Sequence, residues 1–235
     1  MKLHTVFITH NRLELTKRTI ESYLETVTAP FTACVVDNGS TDGTQDWLFH
    51  FGMAAGAWED DDSRLRVMLW DDNRYPGAAT NAGWVWAEDA THLHRSDNDM
   101  EYLPGWCDQV KRRFVDPKVG QVGLRTDAED EYAANTGGNC VIRRELFDAG
   151  LRYDERPWPQ IREEVGDGYS EDSFFSARVK QMGYTWTRVK RPCIRNLASG
   201  DWKDPYYVES YGVRGIRPRR DDPTLPDDWS GGYST

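Results

Sequence analysis

Apolar residues cluster at Leu3, Val6, Phe7 and Ile8 and stop at His10-Asn11, the pattern of a short buried strand. From Arg12 to Val27 the period changes: Leu13, Ile20, Tyr23, Leu24 and Val27 fall near helical spacing, and Pro30 closes the segment. Phe31 to Val36 is a second apolar strand running into the turn cluster Asp37-Asn38-Gly39-Ser40. Thr41 or Asp42 is placed to cap a helix carrying Trp47, Leu48 and Phe49. Residues 64–70 read as a third strand, and after the loop 71–75 Pro76 marks a helix start continued by Ala78 to Ala87. A further strand over residues 91–96 leads to Asp97.

Strand and helix alternate at the spacing of an open α/β sheet, mostly parallel with right-handed crossovers. Such sheets bind ligands beyond the carboxyl ends of their strands. His10, Asp37, Asn73 and Asp97 all lie at those ends, so one crevice can collect them. The second half is more mixed. Residues 103–115 read as a helix, 119–125 and 139–143 as strands, and 144–149 as a short helix. Residues 171–182 carry a helical pattern stopped by Gly183, and 184–189 read as the last strand. No internal repeat is present, and beyond Arg191 the pattern is irregular.

A chain of 235 residues suffices for one sizeable α/β domain, and ten Trp, eleven Tyr and eight Phe supply its core. The net charge of -10 makes nonspecific binding to nucleic acid or anionic membrane unfavourable. No apolar run is long enough to span a bilayer, and the N-terminal residues enter a strand without a signal-peptide pattern. Cys34, Cys107, Cys140 and Cys193 are widely spaced, so free thiols in a cytoplasmic protein are expected.

The chemistry concentrates in acids. Asp97-Asn98-Asp99 follows a strand, and on an extended backbone period-two alternation puts both carboxylates on one side. Paired carboxylates suit Mg²⁺ or Mn²⁺, with phosphate oxygens and water completing the shell; a solvated acidic turn is the alternative. Asp37 can accept from a base N–H or simply satisfy turn amides. Glu171-Asp172 opens a helix, where the dipole alone favours acids and where a carboxylate can also serve as a base. Gly137-Gly138-Asn139 lets backbone approach a ligand, or makes a tight turn. Trp158 and Tyr169 flank the loop before Glu171, suited to stacking on sugars or to core packing.

Six segments, in order, resemble the motifs of family 2 glycosyltransferases of the GT-A fold: VFITHNR at Val6 to Arg12, VVDNGSTDGT at Val35 to Thr44, NRYPGAATNAG at Asn73 to Gly83, SDND at Ser96 to Asp99, TGGNCVIRRELFDAGLRYDE at Thr136 to Glu155, and SEDSFFSARVKQMGY at Ser170 to Tyr184. The resemblance spans residues 3–190 and implies a single-domain, Rossmann-like, mostly parallel sheet flanked by helices. It implies an inverting transfer of a sugar from a nucleotide sugar, UDP-linked by preference, to an acceptor hydroxyl. By that resemblance Asp37 holds the base, Thr9, Asn11 and Arg12 line the nucleoside pocket, and Asn73 helps hold nucleotide or sugar. Asp97 and Asp99 become the metal pair for Mn²⁺ or Mg²⁺, Asp99 as the direct ligand and Asp97 often leaning toward ribose or sugar. Asp172 becomes the catalytic base with Glu171 in support, and Gly137, Gly138, Asn139 and Trp158 meet the acceptor. Residues 1–100 are then a donor half, 101–190 an acceptor half, and 191–235 a basic loop with an acidic tail.

Two departures stand out. The stretch Cys193 to Asp201 has no His where relatives often carry a further metal ligand, leaving Asp201, Asn196, or diphosphate and water to fill the shell. Ala79-Thr80-Asn81 replaces the usual Ala-Arg-Asn. Residues 188–220 carry nine Lys and Arg against three acids, a basic run suited to closing over a diphosphate. Two rival classes are a nucleotidyltransferase and a non-catalytic carbohydrate-binding relative. The first would want a Gly-rich, Lys-containing loop where Thr9-His10-Asn11-Arg12 stands.

Overall fold

A computed structural model describes residues 1–56, 64–126, 136, 138–166 and 171–198. Strand β1 (Leu3–Thr9) leads to helix α1 (Leu13–Thr26), β2 (Phe31–Asn38), α2 (Thr44–Ala54), β3 (Leu65–Trp70), α3 (Tyr75–Trp84) and β4 (His92–Asp97). Then come β5 (Met100–Tyr102), α4 (Trp106–Arg113), β6 (Val119–Gly123), β7 (Cys140–Arg143), α5 (Arg144–Asp148), α6 (Trp158–Val165), α7 (Glu171–Gln181), β8 (Thr185–Arg188) and β9 (Ile194–Asn196). A seven-stranded sheet runs in the order β3-β2-β1-β4-β7-β6-β8, with β7 antiparallel to both neighbours and the other pairings parallel. It is one α/β domain, a mostly parallel sheet flanked by helices.

Alternation along the strands sorts the core into two layers. Leu3, Phe7, Ala33, Val35 and Val67 pack against Ile20 and Tyr23 of α1, Leu48 of α2 and Trp106 of α4. On the opposite face Val6, Ile8, Cys34, Val36, Leu93 and Ile142 meet Ala79 and Trp84 of α3, Phe147 of α5 and Phe175 and Val179 of α7. Every residue of β1 is buried, as a central parallel strand covered on both faces requires. The glycines of the third motif serve packing. A Cβ on Gly83 would lie 2.5 Å from Val6 Cγ2, and one on Gly77 2.1 Å from the Asp154 carbonyl oxygen. Asn81 of the same motif brackets Tyr153, donating from Nδ2 to its carbonyl and accepting its N–H at Oδ1.

Three features go beyond the sequence expectation of a mostly parallel sheet. Strand β7 runs antiparallel, α6 was not anticipated, and β5 pairs with β9 in a separate two-stranded sheet. The last arises because α1 buries a polar stripe. Thr16 Oγ1 accepts from the Asn98 amide, Thr19 Oγ1 from Met100 N–H and Ser22 Oγ from Tyr102 N–H, each at 3.0 Å. Helix hydroxyls thus stand in for a neighbouring strand and fix where the chain goes after Asp97. Helix α2 begins after Gly43 rather than at Thr41 or Asp42, although Asp42 Oδ1 does accept from Thr44 N–H and Oγ1.

Candidate active site

Loops at the carboxyl ends of β1, β2 and β4 lie together, and β4 reaches the start of α7. After β1, Asn11 and Arg12 adopt left-handed backbone with φ of 55° and 64°. Local bonds hold this turn: Asn11 N–H donates to Ser40 Oγ at 2.7 Å, and Thr41 N–H to Asn11 Oδ1 at 2.8 Å. Asp37, fully buried at the end of β2, is the keystone of the two loops. Its Oδ2 accepts from Thr9 Oγ1 at 2.8 Å and Ser40 Oγ at 2.5 Å, its Oδ1 from Ser40 N–H at 2.9 Å and Gln45 Nε2 at 2.8 Å. Four donors match the acceptor capacity of a carboxylate. Asn73 is exposed in the loop after β3, where its Oδ1 accepts from Tyr75 N–H at 2.9 Å.

The two acids of the D-x-D part company. The strand stops at Asp97 and residues 98 and 99 form a turn, so alternation no longer places the carboxylates together. Asp99 turns toward the first loop, where its Oδ2 lies 3.0 Å from Arg12 Nη1 with both side chains buried. Arg12 is therefore part of the site rather than a surface cation of α1. Asp97, with its side chain 34% exposed, keeps the strand's own face. Its N–H donates to Asn139 Oδ1 at 3.0 Å, and its Oδ2 accepts from Asn139 Nδ2 at 3.2 Å. Gly138 sits against it: a Cβ there would lie 2.6 Å from Asp97 Oδ2.

Arg95, two residues before Asp97 and on the same face of β4, is the residue sequence reading passed over. Its side chain is 4% exposed. Nη2 lies 2.5 Å from Glu171 Oε1 and 3.4 Å from Asp97 Oδ1, while Nη1 lies 3.3 Å from Asp172 Oδ1. One guanidinium thus joins the end of β4 to the first turn of α7, 76 residues on. The signal was available: an arginine inside the buried strand HLHRSD demands anionic partners. Glu171 Oε2 also accepts from Trp158 Nε1 at 2.8 Å, and the Trp158 ring lies 5.7 Å from that of Tyr75. The Asp172 carboxyl is raised to about 7, chiefly by burial. Arg95 pulls it down, and the nearby charges of Glu171 and Asp97 push it up again.

The site thus gathers Thr9, Asn11, Arg12, Asp37, Asp97, Asp99, Gly138, Asn139, Trp158, Glu171 and Asp172 at one end of the sheet. Asn73 borders it. Gly137 and Tyr169 lie outside the described residues, as do Asp201 and the basic run beyond residue 198. Among the described residues no group of three or more His, Cys, Asp or Glu side chains is arranged to hold a metal ion. Of the two D-x-D carboxylates, the partly exposed Asp97 is the one that could hold a divalent cation.

The sequence profile of glycosyl transferase family 2 matches residues 5–161, more than half of the chain. The chain belongs to this family. Solved structures share its fold. A mannosyltransferase of Pyrobaculum calidifontis, solved with GDP-Man and Mn²⁺, superposes with TM-score 0.62 at 18% identity over 81% of this chain and 54% of its own. Staphylococcus aureus TarS residues 1–349 with UDP gives TM-score 0.61 at 16% identity over 88% of this chain and 63% of its own, and the same fragment has been solved with UDP-GlcNAc. The family 2 chain thus spans less than two thirds of these relatives. No curated protein sequence matches it. Among its described residues no helix is long and apolar enough to cross a membrane.

Proposed function

We propose that this family 2 chain transfers a sugar from a nucleotide-sugar donor to an acceptor hydroxyl with inversion at the anomeric carbon. The observation that carries the reading is Arg95. It joins Asp97, at the sheet's ligand-binding end, to Glu171 and Asp172, which begin a helix that packs on the same face. In this reading the loops organised by Asp37 cradle the nucleoside, with Thr9, Asn11, Arg12 and Asn73 around it. Asp37 acts through the loop it holds, since both its oxygens already accept protein donors.

Asp97 would hold Mn²⁺ or Mg²⁺ together with the donor, in place of the Asp99 that the family resemblance favoured as direct ligand, because Asp99 is engaged by Arg12. The cation supplies neutralisation of charge on the departing diphosphate. Asp172 takes the proton of the acceptor hydroxyl as that oxygen attacks opposite the leaving group, and a carboxyl raised to about 7 suits that task near neutral pH. Glu171, fixed by Arg95 and Trp158, supports its neighbour. Gly138, Asn139 and Trp158, with Gly137, border the acceptor side. A UDP-sugar is favoured as donor because the TarS fragment binds UDP and UDP-GlcNAc, with GDP-mannose the alternative from the archaeal relative.

The test is release of nucleoside diphosphate from UDP-sugars and GDP-mannose in the presence of Mn²⁺. The native chain releases it and Asp172→Asn does not. Equal release by both, or none by the native chain across the donor panel, overturns the assignment and favours a non-catalytic carbohydrate-binding relative.

A further inference from the structure

We propose that Arg95 is a positioning residue that sets where the Asp172 carboxylate stands relative to the donor end of β4. The inference rests on the functional reading above and deepens it. Arg95 approaches three carboxylates from two arms of one planar fork: Asp97 and Glu171 through Nη2, Asp172 through Nη1. No lysine reproduces that geometry, because its charge is a point on a flexible stem. The fork is itself immobilised. Its guanidinium carbon lies 4.7 Å from the centre of the Tyr153 ring, and that ring stacks on Phe175 with centroids 3.9 Å apart and 8° between planes. Phe175 is one turn beyond Glu171 on α7, so the helix is fixed to the arginine by stacking as well as by charge.

Stability alone does not call for this arrangement. Desolvating a guanidinium and its carboxylates costs about as much as their attraction returns, and an apolar residue of similar volume serves a core equally well. The arrangement instead has a directional consequence. Glu171 has a second anchor in Trp158, and Asp97 has a second in Asn139. For Asp172, among the described residues, the contact to Arg95 is the one hydrogen bond that holds its side chain. Removing Arg95 therefore leaves Glu171 and Asp97 tethered and releases Asp172, while the like charges of its neighbours drive it away.

The experiment compares native chain, Arg95→Met and Arg95→Lys in Mn²⁺-dependent release of nucleoside diphosphate from UDP-GlcNAc and GDP-mannose, together with crystal structures of native and Arg95→Met. Arg95→Met is expected to lower kcat about 100-fold, as misplacement of a reacting group does. The loss falls on kcat more than on the donor KM, and Arg95→Lys recovers part of it. In the Arg95→Met crystals the Asp172 carboxylate leaves its native place while Glu171 stays on Trp158. An unchanged kcat, a loss confined to KM, or an Asp172 that keeps its position overturns the proposal. If the native chain turns over neither donor, the enzymatic reading falls and the Asp172 position in the crystals still decides the role of Arg95. If Arg95→Met fails to fold, Arg95→Gln takes its place in both measurements.

Discussion

Gly138→Ala isolates the placement of Asp97 from the stability of the fold. The new methyl carbon would lie 2.6 Å from Asp97 Oδ2, 3.4 Å from its Cγ and 3.5 Å from Arg95 Nη2. Only the first is a clash, so Oδ2 has to retreat by about 0.8 Å to reach ordinary contact. Turning the carboxylate by that much lengthens its 3.2 Å bond from Asn139 and its 3.4 Å approach to Arg95 together. The fold itself loses little. The clashing atom is the end of a partly exposed side chain, and alanine reduces the freedom of the unfolded chain, worth roughly 0.4–1 kcal/mol where the backbone accepts it. The substitution is therefore expected to leave urea unfolding near native and to lower kcat/KM for nucleoside diphosphate release about 100-fold, the usual cost of a displacement near 1 Å. The assay is initial-rate kinetics on the donor that the native chain turns over, beside a urea titration of both proteins. A variant with native kcat/KM would refute the placement of Asp97 at the reacting centre. A variant with strongly reduced stability would refute the argument that the clash is absorbed at the side chain.

The other predictions read the site by different means. Because Asp172 is protonated below about 7, kcat rises with pH toward that value and levels above it. The same raised carboxyl binds its proton more tightly in the folded state, so its contribution to stability declines as pH rises from the ordinary carboxylate range through about 7; Asp172→Asn flattens that decline in urea titrations. Asp37→Ala strands the buried donors of Thr9 and Ser40, takes one of two acceptors from Gln45 Nε2, and is expected to destabilise the fold by about 3 kcal/mol, measured by urea unfolding. Arg12→Ala takes from the buried Asp99 the guanidinium 3.0 Å away and is expected to cost about 3 kcal/mol, and a double-mutant cycle with Asp99→Ala reads the coupling of the pair. Chelation by EDTA abolishes calorimetric binding of UDP or GDP to the native chain, and Mn²⁺ restores it.

The first half of the fold was legible because its physics is local. Apolar runs end in turn residues, helical stripes follow, and parallel topology places Asp37 and Asp97 at the carboxyl ends of neighbouring strands. Glu171 and Asp172 joined them through the family's motif order, because acids at a helix start are equally explained by the dipole. What escaped is non-local. Strands β5 and β9 have three residues each and lie over 90 positions apart, so no periodicity announces their pairing. The turn at Asn98 that parts Asp97 from Asp99 depends on Thr16, Thr19 and Ser22, which in sequence only dilute the apolar stripe of α1. Arg95 was readable as a charge in a buried strand, yet its partners at 171 and 172 become neighbours only when α7 docks on that face.

The electrostatics of the assembled site bear on how an anionic donor can bind at all. Among the described residues, Asp97, Asp99, Glu171 and Asp172 face two guanidiniums, Arg12 and Arg95, and both cations are already engaged. Protonation of Asp172 removes one negative charge and still leaves the cleft acidic. A diphosphate entering such a cleft meets repulsion, strengthened where water is excluded. Positive charge must therefore come from outside this set of side chains. The sequence offers one source in the basic run of residues 188–220, and the exposed carboxylate of Asp97 offers a hold for another, a divalent cation arriving with the donor. The two act differently with salt. Attraction by a solvated basic run weakens as ionic strength rises, whereas a cation bridging Asp97 and diphosphate in direct contact is screened far less. Donor affinity that needs Mn²⁺ and resists salt would assign the task to Asp97, and the separation of the D-x-D acids would then divide labour between one carboxylate for the cation and one for Arg12.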